Sequence, residues 1–482
     1  MQRHLNFIAG RWQEPESGAW YSTFNPARPQ EALGEFPASS AADVDAAVGA
    51  AAEAAPGWAR TPGPQRGVLL LRFAQLLEES KQELGRILTL EMGKPLCESL
   101  GEVGRAAAEA RFAAGEASRL DGHTFVSERP GLSCSTVLEP IGVVAAISPW
   151  NFPVVAPVRK IAPALACGDT VVLKPASITP WCSEFLMRLF EKAGLPAGVV
   201  NLVVGRGSVI GDRLVDDARV AGITFTGSTA VGIPLNERAA RRLAKVQLEL
   251  GGKNPAVVAE YEDLDAAARE IVSAALQCSG QRCTALSRVI VLEAQADALA
   301  DKIVSLVRQI RVGDGLDEKT TMGPLSSRAQ LETVQGYVQR GLEEGAKLLA
   351  GGSCLVEDPD REGYFFAPTV FDHVQPESAL AQEEIFGPVL PVIRVRNFEQ
   401  ALEIANRTRY GLAAALFTSK LSYIQAFTST VQAGMIHINH GTASQAHIPF
   451  GGVKESGLGP YSIGHTAKEF YTNVKAVYIR WQ

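Results

Sequence analysis

Residues 220–252 read VAGITFTGSTAVGIPLNERAARRLAKVQLELGG and decide the class of fold. The stretch begins with an apolar, β-branched run, VAGITFT, and ends with another, VQLEL. Between them, residues 229–242 have the composition of a helix. Because neighbouring parallel strands need a crossover connection that is usually helical, this order predicts a parallel βαβ unit.

The same alternation precedes this unit along the chain. The apolar runs IGVVAAISP, TVVLKP and GVVNLVVG predict strands, and residues 180–193 and 208–216 predict helices. Repeated βαβ units are typical of a doubly wound, Rossmann-type sheet, which binds dinucleotides outside the carboxyl ends of its strands. We therefore expect a cofactor site at those strand ends.

Two glycine-bearing turns in this region suit a phosphate group. The pattern Gly205-x-Gly207-x-x-x-Gly211 is a weak signal alone. Gly227 and Ser228 are better placed, since backbone and hydroxyl donors there stand at a predicted helix start, where anions are favoured.

A second lobe is expected after residue 252. The runs SRVIVL, VLPVIRV, AAALFTS and AGMIHIN predict its strands. Further helices are expected at 43–58, 64–80, 81–92, 98–120, 264–277, 295–310, 326–344, 398–407 and 421–431. The fold class is therefore α/β with two lobes, and a cleft between lobes is a usual place for an active site.

Composition excludes several classes of function. The 482 residues are 46% hydrophobic and 20% charged, and a net charge of −6 without a basic run disfavours nucleic-acid binding. The absence of a signal-peptide core and of a membrane-length apolar run predicts a cytoplasmic protein and no membrane partner. Seven scattered cysteines disfavour a disulfide framework, and because His437 and His440 lack a third ligand we expect no metal.

Cys283 and Glu249 form a candidate catalytic pair. Each stands on a glycine-marked turn, in GQRC and in ELGG. A cysteine thiolate can form a covalent intermediate, and hydrolysis of that intermediate needs a general base to activate water. Taken singly, a cysteine is more often a small buried hydrophobe than a nucleophile, and a glutamate is nearly always a solvated surface charge.

Four motifs, in this order along the chain, resemble those of the aldehyde dehydrogenase superfamily. They are Pro149-Trp-Asn-Phe-Pro153, Glu249-Leu-Gly-Gly-Lys253, Gly280-Gln-Arg-Cys283 and the EEIFGPV stretch that contains Glu384 and Phe386. The likeness extends from FIAGRW near the start to the tail. It implies an NAD(P)-dependent, non-acylating aldehyde dehydrogenase with a Rossmann-type cofactor domain, an α/β catalytic domain and a small β oligomerisation arm.

The resemblance also implies a division of the chain. The dinucleotide-binding domain would comprise residues 1–119 and 141–250, and the catalytic domain residues 251–433. Residues 434–464 would return to the substrate mouth and the cofactor domain. Residues 120–140 and 465–482 would form the oligomerisation arm, and the alternating tail suits a strand added to a partner's sheet. A homodimer or homotetramer is expected.

The resemblance assigns three catalytic roles. Cys283 attacks the aldehyde to give a thiohemiacetal, and hydride transfer to nicotinamide leaves a thioester that water, deprotonated by Glu249, hydrolyses. Asn151 donates to the developing oxyanion together with the backbone N–H of Cys283; such a donor is worth about 3 kcal/mol. A simple turn role for Asn151 stays open. Gln281 and Arg282 flank the nucleophile, and a nearby cation would favour its thiolate.

The resemblance further implies a set of cofactor-binding residues. They are Ser148, Trp150, Lys174, Ser177, Gly207, Gly211, Phe225, Gly227, Ser228, Leu250, Glu384 and Phe386. Glu384 would hold the nicotinamide ribose, and Phe386 would lie beside the nicotinamide ring. A turn that leads into the next strand is an alternative interpretation of the same stretch. NAD-preferring relatives often carry glutamate at the position of Ser177, so serine allows NADP, and use of both NAD and NADP is expected.

The substrate is expected to be a small aldehyde. Arg159 matches an arginine that semialdehyde-oxidising relatives use for the distal carboxylate, which favours 2-oxoglutarate or succinate semialdehyde. A second such arginine is replaced here by Gln277. The remaining candidates in the substrate pocket are Arg282, His440, His447 and Phe450.

Other readings stay open. Phe450 and Trp150 also suit an aromatic or neutral aliphatic aldehyde. An acylating relative that passes its thioester to coenzyme A usually lacks the base, and a non-catalytic structural member tends to lose the nucleophile. The presence of Glu249, Cys283 and Asn151 disfavours both.

Overall fold

The computed structural model describes residues 1–481, whose strands form four sheets. The strands are β1 (Asn6–Ile8), β2 (Arg11–Gln13), β3 (Trp20–Asn25), β4 (Arg28–Pro37), β5 (Thr124–Phe125), β6 (Leu132–Pro140), β7 (Val143–Ile147), β8 (Thr170–Lys174), β9 (Val200–Leu202), β10 (Val220–Thr226), β11 (Lys245–Glu249), β12 (Asn254–Val258), β13 (Leu286–Leu292), β14 (Lys347–Ala350), β15 (Thr369–Asp372), β16 (Val389–Val395), β17 (Ala413–Phe417), β18 (Met435–Ile438), β19 (Gly457–Leu458) and β20 (Thr472–Arg480).

Helices cover the sheets and fill most of the intervening chain. They are α1 (Ala41–Arg60), α2 (Gly63–Glu79), α3 (Lys81–Met92), α4 (Leu96–Glu116), α5 (Val155–Cys167), α6 (Pro180–Ala193), α7 (Gly207–Asp216), α8 (Thr229–Ala240), α9 (Leu264–Leu276), α10 (Glu293–Val307), α11 (Arg328–Glu343), α12 (Pro359–Glu362), α13 (Ala379–Gln382), α14 (Phe398–Asn406), α15 (Leu421–Thr430) and α16 (Lys468–Tyr471).

The first sheet has eight strands in the order β19-β11-β10-β7-β8-β9-β1-β2. Its five central strands, from β11 to β9, are parallel, which confirms the predicted doubly wound α/β class. Outside these five, β19 pairs antiparallel with β11, and β1 pairs antiparallel with both β9 and the edge strand β2. Strands β7 and β8 are buried throughout because helices cover both faces of the sheet.

The register of the first sheet brings the ends of its parallel strands together. Thr226 pairs with Glu249, and Ile147 pairs with both Phe225 and Lys174. The residues just beyond these ends therefore share one edge of the sheet, as expected for a ligand-binding edge.

The second sheet has seven strands in the order β14-β15-β16-β13-β12-β17-β18. All its pairings are parallel except that of β14 with β15. Strand β12 begins five residues after the end of β11, so the chain passes from one sheet to the other across the turn at residues 250–253.

The predicted arm is a separate antiparallel sheet in the order β20-β6-β5. Its longest pairing runs from Thr472–Pro140 to Arg480–Leu132, so the tail pairs with β6 of its own chain. Strands β20 and β5 are the two edge strands of this sheet, so one side of β20 pairs with no strand among residues 1–481. Gln482, the last residue of the predicted arm, lies outside the described residues. The division of the chain into functional domains stays a prediction.

Within residues 1–481, none of the helices combines the length and the apolar character that crossing a bilayer requires.

Candidate active site

The loop that carries Cys283 is held rigidly between the two lobes. The Asn254 amide donates to the carbonyl oxygens of Cys283 and Ala285, at 2.8 Å each, while its oxygen accepts from Ala413 N–H. Gln281 is fully buried; its oxygen accepts from Ser326 N–H and its amide donates to Cys278 O. The loop therefore has little freedom to move the nucleophile.

Glycine is required at position 280 in this loop. Gly280 has φ +71, and an added Cβ would lie 2.2 Å from the carbonyl oxygen of Gly387. Cys278 and Ser279 also have positive φ, of 56° each, so this turn is a tightly constrained one.

Nearby cations favour the Cys283 thiolate in the expected direction, but burial has a larger and opposite effect on its pKa. Burial, with smaller contributions from the carboxylates of Glu384 and Glu249, raises the pKa of Cys283 to about 11. Arg159 and Arg282 lower the pKa without offsetting burial. The guanidinium of Arg282 is directed to the oxygens of Gln277, Thr284 and Thr442 instead. The thiol is therefore protonated at neutral pH when the site holds only protein.

Asn151 lines the same two cavities as Cys283. Its side-chain amide donates to Gln281 O at 2.8 Å and is buried, so only its second N–H is available to a ligand. Lys94 Nζ holds the backbone of Asn151 by donating to its carbonyl oxygen at 2.8 Å. Within residues 1–481, no protein acceptor is recorded for the backbone N–H of Cys283. Two N–H donors thus remain for a ligand oxygen beside the thiol.

Glu249 ends strand β11 in a buried position. Its Oε2 is buried and accepts no hydrogen bond from the described part of the chain. Burial raises the pKa of this carboxyl, and the positive charges of Lys160 and Arg159 oppose that rise. A carboxyl with an elevated pKa and a free oxygen suits the transfer of a proton from water near neutral pH.

Cys283 and Asn151 line two cavities, one on each side of them. The smaller cavity, of about 520 Å³, also contains Glu249. The larger, of about 810 Å³, extends over the carboxyl edge of the first sheet. A molecule in one cavity can therefore react across Cys283 with a molecule in the other.

All twelve predicted cofactor-binding residues line the larger cavity. Several of them have features that fit a dinucleotide. A Cβ at Gly227 would lie 2.4 Å from the Phe225 ring, so the turn must be glycine. Ser228 caps helix α8, yet its side chain makes no capping hydrogen bond and stays free. Ser148 Oγ is buried without a protein partner among the described residues.

The end of the cavity nearest Cys283 is formed by Glu384 and two rings. A Glu384 oxygen accepts from Gly252 N–H at 3.0 Å, and burial raises the pKa of this carboxyl to about 7. The rings of Trp150 and Phe386 meet edge to face at 5.4 Å. An acceptor beside an aromatic wall suits a ribose and a flat ring.

The other side of the cavity holds Lys174 and Ser177. Lys174 donates to Pro175 O, and burial lowers the pKa of its ammonium group to about 8. A Cβ at Gly207 would lie 3.7 Å from its Nζ, so the amine stands at the start of helix α7.

The smaller cavity contains five of the six predicted substrate residues. Arg159 lies over the Phe450 ring at 4.4 Å and binds both oxygens of Glu109, at 3.1 and 2.7 Å. His440 also lines the cavity, and its Nδ1 lies 2.6 Å from Gly441 O. The sixth residue, His447, does not line the cavity and is exposed, because the chain has turned outward at that point of the loop.

Gln277 occupies the mouth of this cavity and its side chain is paired with Arg282. His437 and His440 pack edge to face with ring centroids 5.0 Å apart. No group of three metal-ligating side chains was found in the described residues.

Some residues of the site were not predicted from the sequence. Arg105 lines the substrate cavity and donates to Ser444 and to Glu109. Asn254 fixes the nucleophile loop, and Lys160 is a fully buried cation that donates to Thr224 Oγ1 at 3.1 Å. Arg105 lies in an alanine-rich helix without a motif, so only its position in the folded chain reveals it.

Comparisons with known proteins agree with this site. The pattern of the aldehyde dehydrogenase family matches residues 12–477. The chain is 42% identical to alpha-ketoglutaric semialdehyde dehydrogenase of Bacillus subtilis (strain 168), over 99% of this chain and 98% of the relative. It is 39% identical to 2,5-dioxopentanoate dehydrogenase of Saccharolobus solfataricus, over 98% and 99% respectively.

A solved structure shows the same architecture. The NAD-dependent aldehyde dehydrogenase from Sinorhizobium meliloti superimposes with a TM-score of 0.97 at 37% identity, covering 99% of this chain and 95% of that one. The family match, the relatives and the shared fold confirm the resemblance inferred from the four motifs: the chain belongs to the aldehyde dehydrogenase family.

Proposed function

We propose that the chain oxidises a carboxylated semialdehyde, such as 2-oxoglutarate or succinate semialdehyde, to the acid with NAD or NADP. The observation that carries the proposal is the meeting of two cavities at Cys283 and Asn151. Glu249 lines the smaller one, and its buried Oε2 has no hydrogen-bond partner among residues 1–481. Relatives whose names specify alpha-ketoglutaric semialdehyde and 2,5-dioxopentanoate support the substrate class.

Each catalytic residue has a chemical task. The Cys283 thiolate attacks the aldehyde carbon, and the amide of Asn151 and the backbone N–H of Cys283 donate to the oxygen that becomes negative. After hydride has left the thiohemiacetal, a thioester links the acyl group to Cys283. Glu249 then takes a proton from water, which attacks the thioester and releases the carboxylate.

The nicotinamide coenzyme, when bound, accepts the hydride. The protein's part is to position it: the larger cavity supplies Glu384 as an acceptor, Trp150 and Phe386 as walls, and Gly227 and Ser228 as donors at a helix start. The volume of the cavity and the Ser148 hydroxyl, which has no protein partner among residues 1–481, fit such a ligand.

Two arginines that line the smaller cavity, Arg105 and Arg159, are placed to bind a substrate carboxylate. Glu109 Oε1 accepts from both Arg105 and Arg159, at 3.0 and 2.7 Å, so two cations share one buried carboxylate. This cluster carries one excess positive charge. A substrate carboxylate would neutralise it, and the guanidinium groups still have N–H donors free for a second anion.

An aromatic substrate is the second candidate, because Phe152 and Phe450 line the cavity. Two observations weigh against it. The face of Phe450 is already covered by Arg159, and Trp150 lines the coenzyme cavity rather than the substrate cavity.

Use of both coenzymes is supported by the residues near the start of α7. Ser177 presents no carboxylate to a 2′-phosphate, and Lys174 presents an amine close by. The lowered pKa of Lys174 makes its charge, and therefore NADP affinity, decrease as pH rises through about 8.

Two wider features belong to the proposal. The open edge of β20 and its exposed side chains support a homodimer or homotetramer built through the arm. The seven cysteines are all free, which is compatible with the reducing cytoplasm.

The substrate class is tested by initial rates of coenzyme reduction with a panel of aldehydes. Succinate and 2-oxoglutarate semialdehydes should exceed pentanal and benzaldehyde in kcat/KM by about tenfold or more, which corresponds to about 1.4 kcal/mol. Arg105→Gln should reduce that preference, whereas Arg111→Gln, which removes an exposed arginine of the same helix, should preserve it. A wild-type preference for neutral or aromatic aldehydes would contradict the proposed substrate.

A further inference from the structure

The far end of the larger cavity is a slot between helices α7 and α8. Each helix contributes one stripe of residues spaced four apart, which share a face. The stripes are Gly207, Gly211 and Val215 on α7, and Ala230, Pro234 and Arg238 on α8.

The middle of the slot is open and apolar. A Cβ at Gly211 would meet no atom within 4 Å, so space is left beside the backbone of α7. Val215, Pro234 and Leu235 supply the surrounding surface. A flat aromatic base fits a narrow apolar space of this kind.

The slot ends at an ion pair between the two helices. Arg238 Nη1 lies 3.3 Å from Asp212 Oδ2, and Arg238 Nε donates to Asp216 at 3.1 Å. Asp212 and Arg238 both line the cavity, whereas Asp216 does not. A ligand at this end therefore meets a carboxylate and a guanidinium group side by side.

We propose that Asp212 and Arg238 recognise the edge of the adenine base of the dinucleotide. This inference rests on the proposed function, because it takes the larger cavity as the coenzyme site. Adenine presents an amino donor and a ring-nitrogen acceptor next to each other on its pairing edge. A carboxylate accepts from the first and a guanidinium donates to the second.

The lengths involved agree with this placement. Arg238 lies ten residues after Ser228, where the pyrophosphate is expected, and a helix rises about 15 Å over that span. Arginine side chains lean toward the start of their helix, which shortens the gap to the length of the adenosine half. The alternative role, binding of a 2′-phosphate, fits less well because Asp212 would repel that group.

The test compares NAD with nicotinamide hypoxanthine dinucleotide. Hypoxanthine carries an oxygen acceptor and a protonated ring nitrogen in place of the two adenine groups, so both hydrogen bonds are reversed. Dissociation constants are measured without aldehyde, from the quenching of protein fluorescence. We expect wild-type protein to bind NAD more tightly by roughly fivefold or more.

Substitutions at Asp212 and Arg238 distinguish recognition of the adenine edge from a general effect of surface charge on dinucleotide binding. Asp212→Asn and Arg238→Met should each bring the ratio of the two dissociation constants close to one. Both residues are partly exposed and their ion pair contributes little to stability, so the variants should fold. Arg213→Met and Glu237→Gln change neighbouring exposed charges on the same helices and should leave the ratio unchanged.

The possible results distinguish failure of the adenine assignment from failure of the proposed function. Equal affinity of wild-type protein for the two dinucleotides, or a ratio that both variants preserve, overturns the assignment while leaving the proposed function intact. A change confined to NADP affinity overturns it in favour of 2′-phosphate binding. Failure of wild-type protein to bind any of these dinucleotides overturns both the assignment and the proposed function.

Discussion

The surroundings of the Cys283 thiol oppose its ionisation on balance, although Arg159 and Arg282 favour it. Burial has the largest effect, and the carboxyls of Glu384 and Glu249 add to it. These carboxyls have elevated pKa values themselves, so they become more repulsive as pH rises. A further positive charge would favour ionisation of the nucleophile, and an oxidised nicotinamide ring bound in the larger cavity would supply one.

Alkylation of Cys283 should therefore depend strongly on pH and on coenzyme. Because its pKa is raised to about 11, the thiol is protonated throughout the range from pH 7 to 10. The rate of reaction with iodoacetamide should rise about tenfold per pH unit there, since only the thiolate reacts. At pH 8, adding NAD should accelerate the reaction.

The rate is read from the Cys283 peptide by mass spectrometry, in a Cys97→Ser background that removes an exposed competing thiol. A rate that levels off near pH 8 in the absence of coenzyme would contradict the raised pKa.

At the scale of elements, a buried ion pair connects the three segments that position Asn151. Lys94, between α3 and α4, donates to Asn151 O and to Glu102, at 2.8 Å each. The other oxygen of Glu102 accepts from the N–H groups of Val154 and Val155, where α5 begins. The pair therefore holds the oxyanion donor against the rest of the first lobe.

Breaking this pair should be costly. Lys94→Met leaves Glu102 buried without its cation, so the free energy of unfolding should fall by about 3–5 kcal/mol. Urea unfolding measures the change. Lys319→Met removes an exposed lysine and should change stability by no more than about 0.5 kcal/mol. Equal stability of the two variants would show that the pair does not support the site.

Local sequence patterns predicted most elements because apolar periodicity reports the environment of each segment. The helix predicted at 229–242 is observed as α8 (Thr229–Ala240). The strand predicted at VQLEL, residues 246–250, contains most of β11. The insertion of β1 and β19 into the first sheet was not predictable. Both are short strands from distant parts of the chain, and their pairing depends on tertiary contacts.

The same limit applies to the site. Cys283, Glu249 and Asn151 stand in motifs, whereas Arg105 is recognised only from its contacts with Glu109 and Ser444. The elevated pKa of Cys283 also depends on burial and on groups remote in sequence, such as Glu384.

At the scale of the whole molecule, the arm is the surface most suited to self-association. Val474 and Tyr478 on β20 are each 70% exposed. Val126, the residue that directly follows β5, is fully exposed. An edge strand with exposed apolar side chains favours addition of a second strand. Apolar side chains left in water here would be buried in an oligomer.

Charges placed on this strand should disrupt the oligomer. The double substitution Val474→Asp with Tyr478→Asp should lower the molar mass measured by light scattering after size exclusion, because buried unpaired carboxylates are costly. Leu355→Asp places the same charge on an exposed apolar site outside the arm and should leave the mass unchanged. Identical masses for the arm variant and the wild type would contradict the assembly through β20.

The most direct test of the proposed chemistry is a rapid-mixing experiment with Glu249→Gln. Without the base, one turnover of hydride transfer should give a burst of reduced coenzyme equal to the number of sites, followed by arrest. Mass spectrometry should then find the acyl group on the Cys283 peptide, and Cys283→Ala should show neither burst nor adduct. Steady turnover at the wild-type rate, or a burst without an acyl group on Cys283, would contradict the account.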